Sequence, residues 1–128
     1  MRILLDTHAF LWFVLGDSKL SQAARTAIET TPGDKLISPA SYWEIAIKIS
    51  LGKYTLPLRF EEFVEKGIDD NGFEILPILP GHAAAVAALP FHHRDPFDRM
   101  LIGQAVAEKI SVVTCDAIFD QYPINCVW

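Results

Sequence analysis

Ile3-Leu4-Leu5 running into Asp6-Thr7, with His8-Ala9-Phe10-Leu11-Trp12-Phe13-Val14-Leu15-Gly16 behind it, is the stretch that decides the fold class. Three apolar residues without polar alternation read as a short strand buried on both faces. Asp6 stops the strand and is a good N-cap, so the chain turns directly into a helix over residues 7–15, which Gly16 closes. A buried strand passing straight into a helix is how a parallel α/β fold begins. That helix is apolar nearly all round, more than one buried face requires.

The alternation continues outward. Ser21 caps a helix through about Thr30, Pro32-Gly33 ends it, and Leu36-Ile37 is a second strand. The next helix starts either at Ser38, with Pro39 in its first position, or at Ser41, and runs through Trp43, Ile45 and Ile49 to Gly52. A helix over residues 60–68, a turn at Asn71-Gly72, a third strand over 73–76 and an alanine-rich helix over 80–88 follow. Asp95-Pro96 opens a helix carried by Phe97, Met100, Leu101, Ala105 and Val106. Val112-Val113 is a fourth strand ending near Asp116, and Cys126-Val127 a short fifth. The expected architecture is one α/β domain over residues 1–128, a mainly parallel sheet of about five short strands flanked by helices.

At 128 residues and 51% hydrophobic, with 8 Phe, 3 Tyr and 3 Trp, the chain is long enough and apolar enough for a packed core. Cys115 and Cys126 have no zinc-like spacing partner and read as reduced core residues. Asp6 and His8 interrupt the first apolar stretch, so no signal peptide is expected, and residues 9–15 are too few to span a bilayer. A cytoplasmic location with no membrane partner follows as an expectation. The net charge of −5 argues mildly against a nucleic-acid binder, yet setting four of the 16 acids aside as ligands leaves 12 against 11 bases.

Those four acids are Asp6, Glu44, Asp98 and Asp116, each at a strand end or near a helix start. Helices antiparallel to the strands begin at the carboxyl edge of the sheet, where α/β folds place their sites. Each also has an ordinary explanation: Asp6, Asp98 and Asp116 as helix-start acids, and Glu44 as the far end of a capping box with Ser41. Independent caps have no reason to gather, whereas ligands of one ion must. At roughly 5 Å and an effective dielectric of about 20, each pair repels by about 3 kcal/mol, so protons or a hard cation must neutralise the group. Oxygen donors alone favour Mg²⁺ or Mn²⁺ over zinc, and water activated by such an ion attacks phosphodiesters.

His82, His92 and His93 are read as surface or substrate-side residues; adjacent His92-His93 is a poor chelate. Lys48 lies one turn after Glu44, and Arg94 and Arg99 bracket Asp98. These three bases either pair with the acids or hold substrate phosphates.

The segments LLDTHAFLW (residues 4–12), SPASYWEIAIKISLGK (38–53), HHRDPFDRMLIGQA (92–105) and VVTCD (112–116) resemble, in order and spacing, the PIN-domain family, and most closely its short VapC-type toxin branch. The resemblance implies a PIN-like sheet with an acidic site at its carboxyl edge, and an endoribonuclease dependent on Mg²⁺ or Mn²⁺. It also implies a cognate antitoxin that blocks the site, and a homodimer is expected. The family's acids fall on Asp6, Glu44, Asp98 and Asp116, which carry both the catalytic and the metal-binding roles. Asp95 and Asp120 match less firmly as supporting residues. Thr7 and Thr114 resemble hydroxyl positions that orient water or ligands, and Lys48, Arg94 and Arg99 are the expected RNA-binding residues.

Three other readings compete. An aspartyl-phosphate phosphatase of the haloacid type wants a second aspartate where His8 stands. A PIN-like nuclease that processes RNA or DNA without an antitoxin keeps the same chemistry. A non-enzymatic interaction module would use the apolar first helix but leaves the four acids without a purpose.

Overall fold

In the computed structural model, which describes residues 2–128, the opening strand β1 (Ile3–Leu5) is the middle one of five. The chain continues through α1 (Thr7–Leu15), α2 (Gln22–Thr30), β2 (Lys35–Ile37), α3 (Pro39–Ser50) and α4 (Phe60–Asp69). β3 (Glu74–Ile75), α5 (Pro80–Ala88), α6 (Pro96–Glu108), β4 (Ser111–Val113), a 3-10 turn over Ala117–Gln121 and β5 (Cys126–Val127) complete it. The sheet is parallel throughout, in the order β3-β2-β1-β4-β5. In register, Leu4 lies between Leu36 and Val112, and Leu5 between Ile37 and Val113.

The unbroken apolar strands are explained by cover on both faces. Ile3, Leu5, Ile37 and Val113 pack with Phe10, Ala24, Ile28, Ile45 and Phe63 on one side. Leu4, Leu36 and Val112 pack with Leu101, Ile102, Ala105 and Phe119 on the other. Helices α5 and α6 touch closely because position 103 is glycine. A Cβ there would lie 2.6 Å from Val86 Cγ2 and 3.2 Å from the His82 carbonyl oxygen. Gly16 ends α1 in the left-handed region at φ 67°, as glycine allows.

Several expectations need correction. The chain enters α3 at Ser38, whose hydroxyl accepts from the Ala40 amide with Pro39 at the first position, so Ser41 lies inside the first turn and forms no capping box. Glu44 is thereby released from a backbone role. The third strand is two residues, Glu74 and Ile75, and not four. Cys115 is exposed and Cys126 only half-buried, because the first follows the end of β4 and the second sits on the edge strand β5; both are free thiols.

His82 is buried, not superficial. Its Nδ1 accepts from the Leu79 amide at 3.0 Å and its Nε2 meets Glu108 Oε2 at 2.9 Å, tying the start of α5 to the end of α6. Helix α1 buries Thr7, Ala9, Phe10 and Leu11, leaves Trp12, Phe13 and Val14 half-buried, and exposes Leu15. Among the described residues no helix is long and apolar enough to cross a membrane.

Candidate acidic metal centre

Parallel strands bring their carboxyl ends to one edge, and the site is built where β1 and β4 finish beside the N-terminal halves of α3 and α6. Asp6 directly follows β1 and caps α1, its Oδ1 accepting from the Ala9 amide at 2.8 Å. Asp116 follows β4 and caps the 3-10 turn, its Oδ1 accepting from the Ile118 amide at 3.0 Å. The caps anticipated for these two aspartates are therefore real. They also share an edge, so capping and clustering are two uses of the same side chains.

Threonine hydroxyls hold two of the acids. Thr114 Oγ1 donates to Asp6 Oδ2 at 2.6 Å while accepting from the Asp116 amide at 3.1 Å. Thr7 Oγ1 donates to Glu44 Oε1 at 2.7 Å and lies 3.2 Å from Ser41 Oγ. Glu44 Oε2 pairs with Lys48 Nζ at 2.9 Å, and Lys48 reaches Tyr54. Asp95 Oδ1 accepts from the Phe97 and Asp98 amides, so Asp95 is the cap of α6, and Asp98, in its first turn, is spared for other work.

Burial grades across the cluster. Asp6 and Glu44 are each 4% exposed, whereas the side chains of Asp98 and Asp116 are 22% and 33% exposed. The first pair forms the floor and the second the mouth. Burial, followed by repulsion from Asp95, Glu44, Asp6 and Asp116, pushes the Asp98 carboxyl up to about 8. Asp6 is also raised, chiefly by burial, against the opposing pull of its Thr114 and Ala9 hydrogen bonds. Mutual electrostatic sensing of this kind requires that Asp6, Glu44, Asp95, Asp98 and Asp116 be neighbours.

A histidine stands among them. His93, 7% exposed, places Nε2 2.8 Å from Asp116 Oδ2 and 3.2 Å from Asp98 Oδ2. Among the described residues, His93, Asp98 and Asp116 offer ligand-type atoms that all lie within 4.8 Å of one another. His93 is buried, so of the expected surface or substrate-side position the surface one does not hold. A cluster of titratable side chains immediately before the α6 cap was the available signal, but it does not say which of two adjacent imidazoles turns inward. His92 is the exposed one, its ring edge-on to Tyr122.

The expected bases separate. Lys48 is at the site, on Glu44. Arg94 is exposed. Arg99 is buried and turned away from the acids, its guanidinium donating to the carbonyl oxygens of Val86, Leu89, Pro90 and His93. Pro90 cannot donate a backbone hydrogen bond, and the irregular loop leaves carbonyls that a five-donor fork satisfies. Asp120 lies beside Cys126 in a cavity of about 260 Å³ that also takes in Thr114, Asp116 and Trp128, off the Asp98 side of the cluster.

The residues present fit a hard divalent cation. The donors are mainly carboxylate oxygens, burial and the neighbouring acids raise the Asp98 carboxyl to about 8, and among the described residues Lys48 pairs with Glu44 alone. The same elements recur in known proteins. A family model described as the PIN domain matches residues 3–125. A chain of the Rickettsia felis VapBC2 complex, bound to a DNA fragment from its promoter, superposes with a TM-score of 0.72 at 14% identity, over 98% of this chain and 97% of that one. A chain of DNA-bound VapBC from Salmonella typhimurium gives 0.73 at 20% identity over 98% and 96%. One from FitAcB of Neisseria gonorrhoeae gives 0.64 at 18% over 97% and 95%. No match was found among curated proteins. With the family model spanning almost the whole sequence and the fold shared end to end, this chain belongs to the PIN-domain family.

Proposed function

We propose that this PIN domain is an endoribonuclease dependent on Mg²⁺ or Mn²⁺, the toxin of a toxin–antitoxin pair acting in the cytoplasm. The observation that carries the reading is the convergence of Asp6, Glu44 and Asp116 on Asp98, whose carboxyl burial and these neighbours raise to about 8. In this reading Asp6, Asp98 and Asp116 hold the cation and Glu44 completes the cluster. A bound divalent cation would neutralise the acids, lower the pKa of water and stabilise charge on the phosphodiester.

The chain's own groups do the rest. Thr114 and Thr7 fix the rotamers of Asp6 and Glu44, so that the buried oxygens are positioned before substrate arrives. Glu44 orients the attacking water, with Lys48 holding its other oxygen. Lys48 and exposed Arg94 supply positive charge for the RNA backbone. Asp95 and Asp120 act as support, the first by capping α6. Solved structures sharing the fold include VapBC and FitAB complexes, which supports a partner protein here too. Asp6→Asn and Asp98→Asn test the assignment: each should keep the fold and abolish RNA cleavage, and unchanged cleavage by both defeats it.

A further inference from the structure

His93 has the position of a metal ligand but the hydrogen bonds of something else. The Asp95 amide N–H donates to its Nδ1 at 3.2 Å. A nitrogen that accepts carries no proton, so in the neutral ring the proton must be on Nε2. The other side of the ring accommodates that proton. Nε2 faces two carboxyl oxygens, Asp116 Oδ2 at 2.8 Å and Asp98 Oδ2 at 3.2 Å, distances at which one N–H can donate to both. A ring nitrogen that binds a metal offers a lone pair, which this arrangement denies it.

The ring is also immobilised. The His93 amide donates to the Tyr122 hydroxyl at 2.8 Å, its carbonyl accepts from Arg99, and its ring stands edge-on to Phe119 at 5.6 Å. The Tyr122 hydroxyl in turn donates to the Pro90 carbonyl at 2.7 Å, closing the loop that Arg99 holds from the other side. Rotation of the imidazole to present a lone pair would break the Asp95 contact.

We infer that His93 is a positioning residue and not a ligand: its Nε2–H bridges Asp98 and Asp116 and sets the spacing of the two acids at the mouth of the site. The inference deepens the proposed nuclease reading and rests on it for its purpose. The Asp95 amide keeps the tautomer, Arg99 and Tyr122 keep the loop, and the one N–H joins α6 to the 3-10 turn after β4.

Two measurements on the full-length protein test this. In the protein labelled with ¹⁵N-histidine, without metal, long-range ¹H–¹⁵N correlations should show His93 protonated on Nε2; protonation on Nδ1 overturns the inference. With Mn²⁺ as the probe, pulsed EPR should show no histidine nitrogen coupled to the bound ion, and a coupling that vanishes in His93→Gln would make His93 a ligand. His93→Gln, whose amide can place a donor near the same point, should bind Mn²⁺ almost as the wild type, whereas His93→Ala should bind it at least about tenfold more weakly, the usual scale for losing a group that orients a ligand. Equal weakening in both variants also counts against the bridge. Failure of the nuclease reading looks different: the wild type would bind no Mn²⁺, and the bridge would lose the role assigned to it even with Nε2 protonated.

Discussion

Thr114 and Asp6, 108 residues apart, are joined by a buried hydrogen bond of 2.6 Å from the threonine hydroxyl to Oδ2. The same hydroxyl accepts the Asp116 amide, so one side chain at the end of β4 fixes two of the four acids. Thr114→Val keeps the shape and removes the hydroxyl. It should cost about 1–3 kcal/mol, since a buried carboxyl oxygen and an amide both lose a partner. Urea unfolding measures this, and Thr114→Ser should recover most of the loss. A valine variant as stable and as active as the wild type would show that the bond orders nothing.

Asp98 makes metal-free stability fall as pH rises. Its carboxyl titrates near 3.8 when unfolded and about 8 in the fold, so between these values the native state holds a proton the unfolded chain has released. The stability contributed by Asp98 is full below about pH 4 and is lost as pH climbs through about 8. In EDTA, the melting temperature of the wild type should decline more steeply from pH 5 to pH 9 than that of Asp98→Asn. Excess Mg²⁺ should remove most of the difference by stabilising the carboxylate. Parallel slopes for the two proteins would contradict the placement of Asp98 among the other acids.

The two arginines beside Asp98 should behave oppositely. Arg99→Lys loses a planar fork that satisfies four carbonyls and should destabilise by about 1–3 kcal/mol, by thermal or urea unfolding. Arg94→Gln, on the surface, should change stability by less than about 0.5 kcal/mol while weakening RNA binding and its salt dependence. A stable Arg99→Lys with lowered RNA affinity would return Arg99 to the substrate.

Trp12 is half-buried, edge-on to Trp128 at 5.8 Å, and lines a groove with His8, Leu15 and Tyr54. Trp12→Ala should weaken self-association or binding of a cognate antitoxin while leaving thermal stability nearly unchanged, as measured by ultracentrifugation beside a thermal melt. A large stability loss with unaltered association would make Trp12 simply core.

Much of the fold was legible because it rests on local signals. Ile3-Leu4-Leu5 has no polar residue to offer solvent, Ser21 and Asp95 are strong caps, and Pro80 and Pro96 stand at first helical positions where they cost nothing. The four acids were visible as candidates because strand ends and helix starts are themselves locally encoded. What escaped depended on side-chain direction. Nothing in Arg94-Asp95-Pro96-Phe97-Asp98-Arg99 says that one arginine faces water and the other is drawn onto carbonyl oxygens of the end of α5 and the loop after it. Nor does His92-His93 say which ring turns inward, since that is set by Phe119 and Tyr122, more than 20 residues later in the chain.

The most direct test of the central claim is the chemistry of the cut ends. If water is the nucleophile, as proposed, purified protein incubated with single-stranded RNA and Mg²⁺ or Mn²⁺ should leave 5′-phosphate and 3′-hydroxyl ends, because the 2′-hydroxyl is then not consumed. Excess EDTA should stop the reaction, and Asp6→Asn should leave the RNA intact. Products carrying 2′,3′-cyclic phosphate, or full cleavage in EDTA, would contradict a metal-dependent acidic centre.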